Sequence, residues 1–298
     1  MSHHDSHSHR NTGDIKIAFF LNLGFTILEI VGGLWTNSAA ILSDALHDLG
    51  DSLSLGLAWF LGNYAERSQD ERYSYGYRRY SLLGALANTL ILIGGSIFVL
   101  SEAIPRLLQP ERPYAPGMAV IAVAGIVVNG LAALRVQRSP SLNVQTVAWH
   151  LLEDVLGWVA VLLVSIILLF ANVPVLDPIL SVLITVYVLY NVIRNLKKTS
   201  ALFLQAVPEE VNLTEIERRL QEISAVCSTH HTHAWSLDGE HHVLTTHVVV
   251  NEDVTRDDVL RIKSEVKALV DSLENFEHVT VEIEYSDEAC RMNQEKVT

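Results

Sequence analysis

The chain of 298 residues is 49% hydrophobic, has a mean hydropathy of +0.27, and concentrates its apolar residues in the first two thirds. This distribution indicates an integral membrane protein that continues into a polar domain. Two cysteines are too few for a disulfide framework, and a chain of net charge −13 without a basic patch is not of the nucleic-acid-binding type.

The chain begins with a polar segment, residues 1–13, that holds four histidines and is expected to be disordered. Six apolar runs of about 20 residues follow, the length that crosses the roughly 30 Å hydrocarbon core of a bilayer. They lie near Ile15–Trp35, Ser38–Leu61, Ser81–Ile104, Met118–Val136, Val144–Phe170 and Ile179–Ile193. The first run has no small-residue cleavage pattern, so it is predicted to be a retained helix rather than a signal peptide. Residues 14–200 are therefore predicted to form an all-α bundle of six transmembrane helices.

The distribution of lysine and arginine predicts the orientation of these helices. The three loops that follow helices one, three and five hold only Arg106 and Arg112. The N-terminus and the segments after helices two, four and six hold Arg10, Lys16, Arg67, Arg72, Arg78, Arg79, Arg135, Arg138, Arg194, Lys197 and Lys198. By the positive-inside rule, both termini are cytoplasmic in a multi-pass protein of the cell (inner) membrane.

A small α+β domain is predicted over residues 201–286. Its elements are a helix at Asn212–Ile223, strands at Thr229–Leu237 and His241–Val250, a helix at Arg256–Leu273 with Thr255 as N-cap, and a strand at His278–Tyr285. The order is αββαβ, and the sheet is expected to be antiparallel. Residues 287–298 are expected to be a disordered tail.

Two histidines, His47 and His150, lie within the six apolar runs, and each is followed four residues later by an aspartate, Asp51 and Asp154. Residues four apart share one face of a helix, so each pair presents an imidazole and a carboxylate in the same direction. Two such helices side by side supply two nitrogen and two oxygen ligands. A tetrahedral set of this kind suits Zn²⁺, and charged groups within a membrane need a cavity or a partner.

Other polar residues in the apolar runs have two open interpretations. Asparagine side chains can simply hold helices together, as proposed for Asn22, Asn88 and Asn129. Carboxylates near the paired histidines can shape a path or relay protons, or form hydrogen bonds between helices; they are Glu29, Asp44, Asp48 and Glu153.

The C-terminal domain has its own candidate site. A two-residue turn at Asp238-Gly239 pairs residues whose numbers add to 477, which places His230 directly opposite His247. Side chains opposed in this way lie within reach of one metal ion. His231 and His233 are expected on the opposite face, His241 and His242 are expected to be exposed at the turn, and Cys227 and Cys290 are expected to be free thiols.

Several stretches, in this order, resemble motifs of the cation diffusion facilitator family, metal-ion/proton antiporters that include bacterial zinc exporters. These are Ser43–Asp51, Tyr75–Arg79 with the following Leu83–Asn88, the pair His150 and Asp154, and Asp177-Pro178. The resemblance extends from about Asp14 to Glu284.

The resemblance implies a homodimer and a ferredoxin-like fold for the C-terminal domain. It implies a transport site between helices two and five at His47, Asp51, His150 and Asp154. It also implies metal ligands in the C-terminal domain at His230, His247, Glu282 and Glu284, for which a solvated polar strand face is the alternative.

A His-x-x-x-Asp frame in both helices resembles the zinc branch of the family, and imidazole favours Zn²⁺ over Mn²⁺. Cd²⁺, Co²⁺ and Ni²⁺ fit the same ligands. Protons compete with metal for imidazole, whose unperturbed pKa is near ~6.5, so the implied activity is Zn²⁺ export in exchange for protons. Zn²⁺ is then the substrate and also a candidate ligand of the C-terminal domain, and no prosthetic group is expected.

Two positions depart from the family pattern. Tyr73 and Tyr77 stand where some members have histidines, so no strong metal site is expected in that loop. Arg79 matches the basic residue of an ion pair that closes some dimers, but its acidic partner is replaced by Leu204.

Two other functions remain open from the residues alone. A zinc sensor that does not transport needs the same ligands. A membrane-embedded zinc hydrolase needs three ligands, an open position for water and a general base such as Glu153. The histidines of the N-terminal tail either raise the local metal concentration or belong to an ordinary polar tail.

Overall fold

The computed structural model describes residues 8–136, 142–273, 275–288 and 290. It divides into two compact units, each described by itself. The first consists of residues up to Tyr64 together with Leu83–Leu196, and the second of Ala65–Leu82 together with the residues from Lys197 onward.

Six long helices lie in the described residues. They are α1 (Ser8–Thr36), α2 (Ala39–Ala65), α3 (Tyr80–Leu108), α4 (Ala115–Val136), α5 (Leu142–Phe170) and α6 (Leu176–Phe203). All six expected runs are therefore helical, and α1 begins inside the tail that was expected to be disordered. Residues 1–7 of that tail, and residues 289 and 291–298 of the C-terminal tail, lie outside the described part.

Within the described residues, five of these helices are long and apolar enough to cross a membrane. The exception is α2, whose Asp44, Asp48 and Asp51 lower its hydropathy. Leu21, Leu131 and many other large apolar side chains are exposed, as expected for a surface that faces lipid.

Helices α2, α4 and α5 share a buried apolar cluster. Its members are Ala40, Ile41, Met118, Ala122, Trp158 and Val161. Gly125 of α4 lies so close to Trp158 that a Cβ at Gly125 would be 2.3 Å from the indole Cδ2. The missing side chain thus allows α4 and α5 to approach closely.

Hydrogen bonds fix α2 against its neighbours. The Asp177 carboxylate, at the start of α6, accepts bonds from Ser38 Oγ at 2.5 Å and from the Ala39 and Ala40 amides at 2.7 and 3.4 Å. These donors stand at the N-terminus of α2, where backbone amides have no partner within the helix. Asp177 therefore caps α2 from another helix.

The asparagines differ from one another in role. Asn22 of α1 donates to the Asp48 carbonyl at 3.1 Å, and Asn88 of α3 donates to Ser54 Oγ at 2.6 Å, so both connect their helices to α2. Two of the three asparagines thus hold helices together, as the structural interpretation expects. Asn129 instead donates to the Gly125 carbonyl of its own helix at 3.2 Å, so this bond connects no second helix.

The second unit contains α7 (Leu213–Gln221), β1 (Val226–Ser236), β2 (His242–Val250), α8 (Arg256–Asp271) and β3 (Phe276–Tyr285). The predicted order αββαβ is confirmed. Thr255 caps α8 in a reciprocal capping box with Asp258, also as predicted.

The expectation of an antiparallel sheet was wrong for one of the two strand pairs. The strand order is β1-β2-β3, with β1 and β2 antiparallel but β2 and β3 parallel. Helix α8 connects β2 to β3, and a helical crossover returns the chain to the end of the sheet from which β2 started. The sheet is therefore mixed.

The loop between α2 and α3 packs on this sheet within the second unit. Arg78 Nη2 lies 2.8 Å from Glu277 Oε1, and the Tyr75 ring contacts that of His278 at 5.2 Å between centroids. In the same loop the Tyr77 hydroxyl donates to Asp70 Oδ2 at 2.7 Å, which lowers the pKa of Asp70 and raises that of Tyr77. Asp70 thus organises the loop.

Candidate metal sites

The first candidate site lies between α2 and α5. His47 Nε2 is 3.9 Å from Asp51 Oδ2 on the same helix and 3.8 Å from Asp154 Oδ1 on α5. With zinc–ligand bonds of about 2.0–2.2 Å, neighbouring ligand atoms of a tetrahedral site lie roughly 3.3–3.6 Å apart. Each of the two measured separations is therefore a few tenths of an ångström longer than in such a site.

Part of the surface of each of these side chains remains accessible. The exposed fraction is 27% for His47, 34% for Asp51 and 10% for Asp154. His150 lies on α5 one turn before Asp154, and its side chain lies outside the described part of the chain. The structure therefore places His47 within 4 Å of two of the other three residues predicted for this site.

Buried polar groups flank this site on α2. Asp44 and Asp48 are buried, as is Glu29 on α1. Ser43 of α2 and Ser181 of α6 share a hydrogen bond of 2.6 Å between their hydroxyls. Asp44 and Asp48 are thus turned toward protein rather than lipid, which is the arrangement that charged residues in a membrane require.

The second candidate site lies on the sheet of the C-terminal domain. His230 is paired with His247, as predicted. His230 Nε2 is 3.1 Å from Glu284 Oε2, and His247 Nδ1 is 2.7 Å from Glu284 Oε1. Glu282 Oε2 lies 3.3 Å from the other ring nitrogen, Nε2 of His247. Each of the four predicted residues therefore contacts at least one of the others.

The pairing was predicted correctly for an incomplete reason. The connection from Ser236 to His242 is longer than a two-residue turn, so residues near it pair with numbers that add to 478. A β-bulge between His230 and His233 then restores the sum of 477. The register shift from the longer turn and the opposite shift from the bulge offset each other, so His230 still pairs with His247.

The same bulge overturns the expectation for His231. Its φ of 49° is left-handed, and its ring lies 5.3 Å from that of His247 rather than on the opposite face. The expectation that His242 is exposed was also wrong. Its side chain is fully buried, and its Nε2 lies 2.9 Å from Glu210 Oε1. His241, next to the turn, lies 2.7 Å from Asp238 Oδ2.

Sequence reasoning missed one member of the second site, Cys290. Four side chains each offer one ligand atom, all within 4.8 Å of one another: His230, His247, Glu284 and Cys290. Burial disfavours the ionised form of Glu284, but hydrogen bonds from His247 and Cys290 and the nearby imidazoles lower its pKa overall. The carboxylate is thus held in the ionised form that binds a cation.

Comparison with known proteins covers nearly the whole chain. Residues 15–204 match the cation efflux transmembrane domain, and residues 208–286 match the cytoplasmic domain of cation efflux proteins. The metal cation efflux system protein CzcD of Cupriavidus metallidurans is 34% identical over 284 residues, which cover 95% of this chain and 89% of that protein.

Two further relatives are similar over the same extent. The zinc transporter ZitB of Escherichia coli is 33% identical, with 96% of this chain and 93% of ZitB covered. A protein of Bacillus subtilis named as a cadmium, cobalt and zinc/H(+)-K(+) antiporter is 29% identical, with 94% and 91% covered. All three names describe efflux or transport.

Proposed function

The chain belongs to the cation efflux family, and on this basis we propose that it is a transporter, not an enzyme, that exports Zn²⁺ from the cytoplasm in exchange for protons. The observation that carries the proposal is His47, which lies within 4 Å of a carboxylate on its own helix and of another on α5. A site shared by two helices opens or closes when the helices move, as alternating access requires.

The proposed transport site consists of His47, Asp51, His150 and Asp154. The measured distances support the first, second and fourth of these residues, and the i, i+4 spacing on α5 supports His150. Four protein ligands leave no open position for water, which argues against a hydrolase.

We propose that all six long helices span the membrane, including α2, with both termini in the cytoplasm of the inner membrane. The burial of Asp44 and Asp48 supports a spanning α2, because these carboxylates are shielded from lipid. Residues 14–200 would form the transport domain and residues 201–286 a ferredoxin-like cytoplasmic domain, between tails at residues 1–13 and 287–298.

The substrate range proposed is Zn²⁺ with Cd²⁺, Co²⁺ and Ni²⁺. Imidazole nitrogen favours these ions over Mn²⁺ and Mg²⁺. The names of the relatives support zinc, cadmium and cobalt. Protons would be the counter-ion because imidazole and carboxylate bind either a proton or the metal.

We also propose that the protein is a homodimer and that Zn²⁺ bound at His230, His247, Glu282 and Glu284 stabilises it. An ion that binds only the assembled state shifts the equilibrium toward that state. The match of residues 208–286 to the family's cytoplasmic domain supports this role. The contacts of Glu284 with both imidazoles, and of Glu282 with His247, support the site.

The transport site is tested by zinc flux into or out of sealed proteoliposomes. We expect Asp51→Asn, Asp154→Asn, His47→Ala and His150→Ala each to abolish flux, because each leaves an incomplete set of ligands. The matched control is Glu66→Gln, a carboxylate exposed just after α2, which should transport normally. Normal zinc flux in any folded site variant would show that the substituted residue is not part of the site. A wild-type protein that binds zinc but does not transport it would be a sensor.

Proton coupling is tested in the same vesicles at fixed zinc concentration. A proton gradient should accelerate zinc movement in the opposite direction, and a protonophore should remove that acceleration. Zinc flux that ignores the gradient and causes no pH change would identify a uniporter or a channel.

A further inference from the structure

Cys290 reaches the C-terminal site because the chain turns back directly after β3. The Ser286 amide donates to the Val250 carbonyl at 2.9 Å, and the Glu288 amide donates to the Tyr285 carbonyl at 2.9 Å. The first bond continues the pairing of β3 with β2, and the second closes a turn directly after β3. Cys290 Sγ then lies 4.0 Å from His247 Nδ1, the nitrogen that also faces Glu284.

The four side chains form a set of the size that a metal ion needs. With bonds of about 2.0 Å to nitrogen and 2.3 Å to sulfur, neighbouring ligand atoms of a tetrahedral zinc site lie roughly 3.3–3.8 Å apart. The ligand atoms of His230, His247, Glu284 and Cys290 all lie within 4.8 Å of one another without an ion. Side-chain movements of about 1 Å would complete the tetrahedron.

Glu282 occupies a different place from these four. It faces Nε2 of His247, on the far side of the ring from Glu284 and Cys290, and 62% of its side chain is exposed. A histidine that binds metal through one nitrogen commonly donates its other N–H to a carboxylate, which fixes the orientation of the ring. Glu282 has the position of such a partner.

We propose that the C-terminal domain binds a soft divalent cation through His230, His247, Glu284 and the thiolate of Cys290, with Glu282 as a positioning residue. The proposal rests on the C-terminal site of the proposed function and changes its fourth ligand from a carboxylate to sulfur. A thiolate favours Zn²⁺ and Cd²⁺ and disfavours Mn²⁺ and Mg²⁺. The domain would therefore respond to the same class of cations that the transport site takes.

Thiol alkylation of the full-length protein in detergent measures directly whether Zn²⁺ protects the Cys290 thiol. The chain supplies its own internal control, since Cys227 is exposed and its thiol donates to Asn251 Oδ1 at 2.9 Å. At a Zn²⁺ concentration ten times the dissociation constant, about one eleventh of the sites remain free. We expect iodoacetamide labelling of Cys290, followed by mass spectrometry, to slow about tenfold while that of Cys227 stays constant. Equal labelling of Cys290 with and without Zn²⁺ would overturn the proposal.

Substitution tests the same ligand by affinity and by spectrum. In the Asp51→Ala background, which weakens the transport site, Cys290→Ser should lower zinc affinity at least about tenfold, since even the loss of a ligand's outer partner costs 10–100-fold. The ultraviolet charge-transfer band of Cd²⁺–thiolate should appear with Cys227→Ser and be lost with Cys290→Ser. An unchanged melting temperature without metal establishes that Cys290→Ser is folded. Retained affinity and a retained band would show that Cys290 is only a hydrogen-bonded thiol.

The role of Glu282 has a separate readout. Glu282→Gln should weaken zinc binding but keep the Cd²⁺–thiolate band at saturating metal. Glu284→Gln should weaken both zinc binding and the Cd²⁺–thiolate band. If Cys227→Ser shows no Cd²⁺–thiolate band, and Glu282→Gln weakens zinc binding more than Cys290→Ser does, the fourth ligand is the carboxylate after all.

Failure of this proposal can be told apart from failure of the transport proposal. Asp51→Ala should lose flux yet keep zinc protection of Cys290, and His247→Ala should lose the protection. Normal flux in Asp51→Ala would refute the transport site and leave the Cys290 result intact. Protection that persists in His247→Ala would refute the C-terminal site alone.

Discussion

The contact between Gly125 and Trp158 makes the position of Asp154 sensitive to a single methyl group. A Cβ at Gly125 would lie 2.3 and 2.4 Å from Trp158 Cδ2 and Cε2, well inside van der Waals contact, and Trp158 is fully buried. The ring has little room to move, so α4 and α5 must separate. Trp158 stands one turn after Asp154 on α5, so this displacement also changes the distance of 3.8 Å between Asp154 and His47.

The expected change in stability of Gly125→Ala follows from two opposing contributions. Alanine is favoured over glycine in a helix by up to about 1 kcal/mol, whereas overpacking a filled core costs about 1–3 kcal/mol. Gly130 on the same helix is the matched control, since a Cβ there meets nothing within 4 Å. Gly125→Ala should therefore be less stable than Gly130→Ala by roughly 1–3 kcal/mol, or several degrees in melting temperature at about 2–4 °C per kcal/mol.

Thermal unfolding of both variants in detergent, together with zinc flux in proteoliposomes, measures the effect. Gly125→Ala should melt lower and transport more slowly, while Gly130→Ala should match or exceed the wild type in stability and transport normally. Combining Gly125→Ala with Trp158→Leu should cost less than the sum of the two changes, because they share one contact. Equal melting temperatures and equal flux for the two alanine variants would refute close packing at Gly125.

Three further substitutions test other parts of the fold and site. Asp177→Ala removes the carboxylate that caps α2, so this variant should lose about 0.5–2 kcal/mol of stability in a melting experiment and should transport more slowly. Asp177→Asn retains an acceptor and should lose less stability. Equal melting temperatures of the wild type and both variants would contradict the cap. Thr255→Ala breaks the capping box of α8 and should lower the free energy of unfolding by about 0.5–2 kcal/mol. Zinc flux should not change at a temperature where the variant is folded. A flux defect in the folded variant would contradict a purely structural role for Thr255. His47→Asp replaces nitrogen with a harder oxygen ligand and should raise Mn²⁺ or Fe²⁺ transport relative to Zn²⁺ in a competition assay, and unchanged relative rates would assign selectivity to another feature.

The contacts of His47 were predictable from the sequence because an α-helix converts spacing into geometry. Residues four apart share a face whatever the surroundings, so His47 with Asp51 followed from the sequence once the run was predicted to be helical. What the spacing leaves open is which other helix lies opposite. The duplication of the frame at His150 and Asp154 supplied that information, and the distance from His47 to Asp154 agrees with it.

Sheet geometry was less accessible because it depends on residues that leave no periodic signal. The parallel pairing of β2 and β3 follows from the direction in which the chain enters β3 after α8. The side of the sheet on which His231 lies depends on a bulge, which requires a left-handed residue at a position where the sequence offers histidine. Alternation alone assigns such a residue to the wrong face.

Cys290 marks the limit of pattern-based reasoning most clearly. It follows the last strand in a segment that, by composition, was expected to be a tail, and it lies 43 residues from His247 in the chain. Its proximity to the histidines depends on the hydrogen bond from Ser286 to the end of β2 and on the turn at Glu288. Helical spacing and strand alternation predict neighbours within regular elements, whereas a ligand delivered by an irregular turn becomes visible only when the backbone bonds of that turn are known. Three of the four proposed ligands of the C-terminal site therefore lie on strands, two imidazoles and a carboxylate. The turn supplies the fourth, the sulfur that would give the site its preference for soft cations.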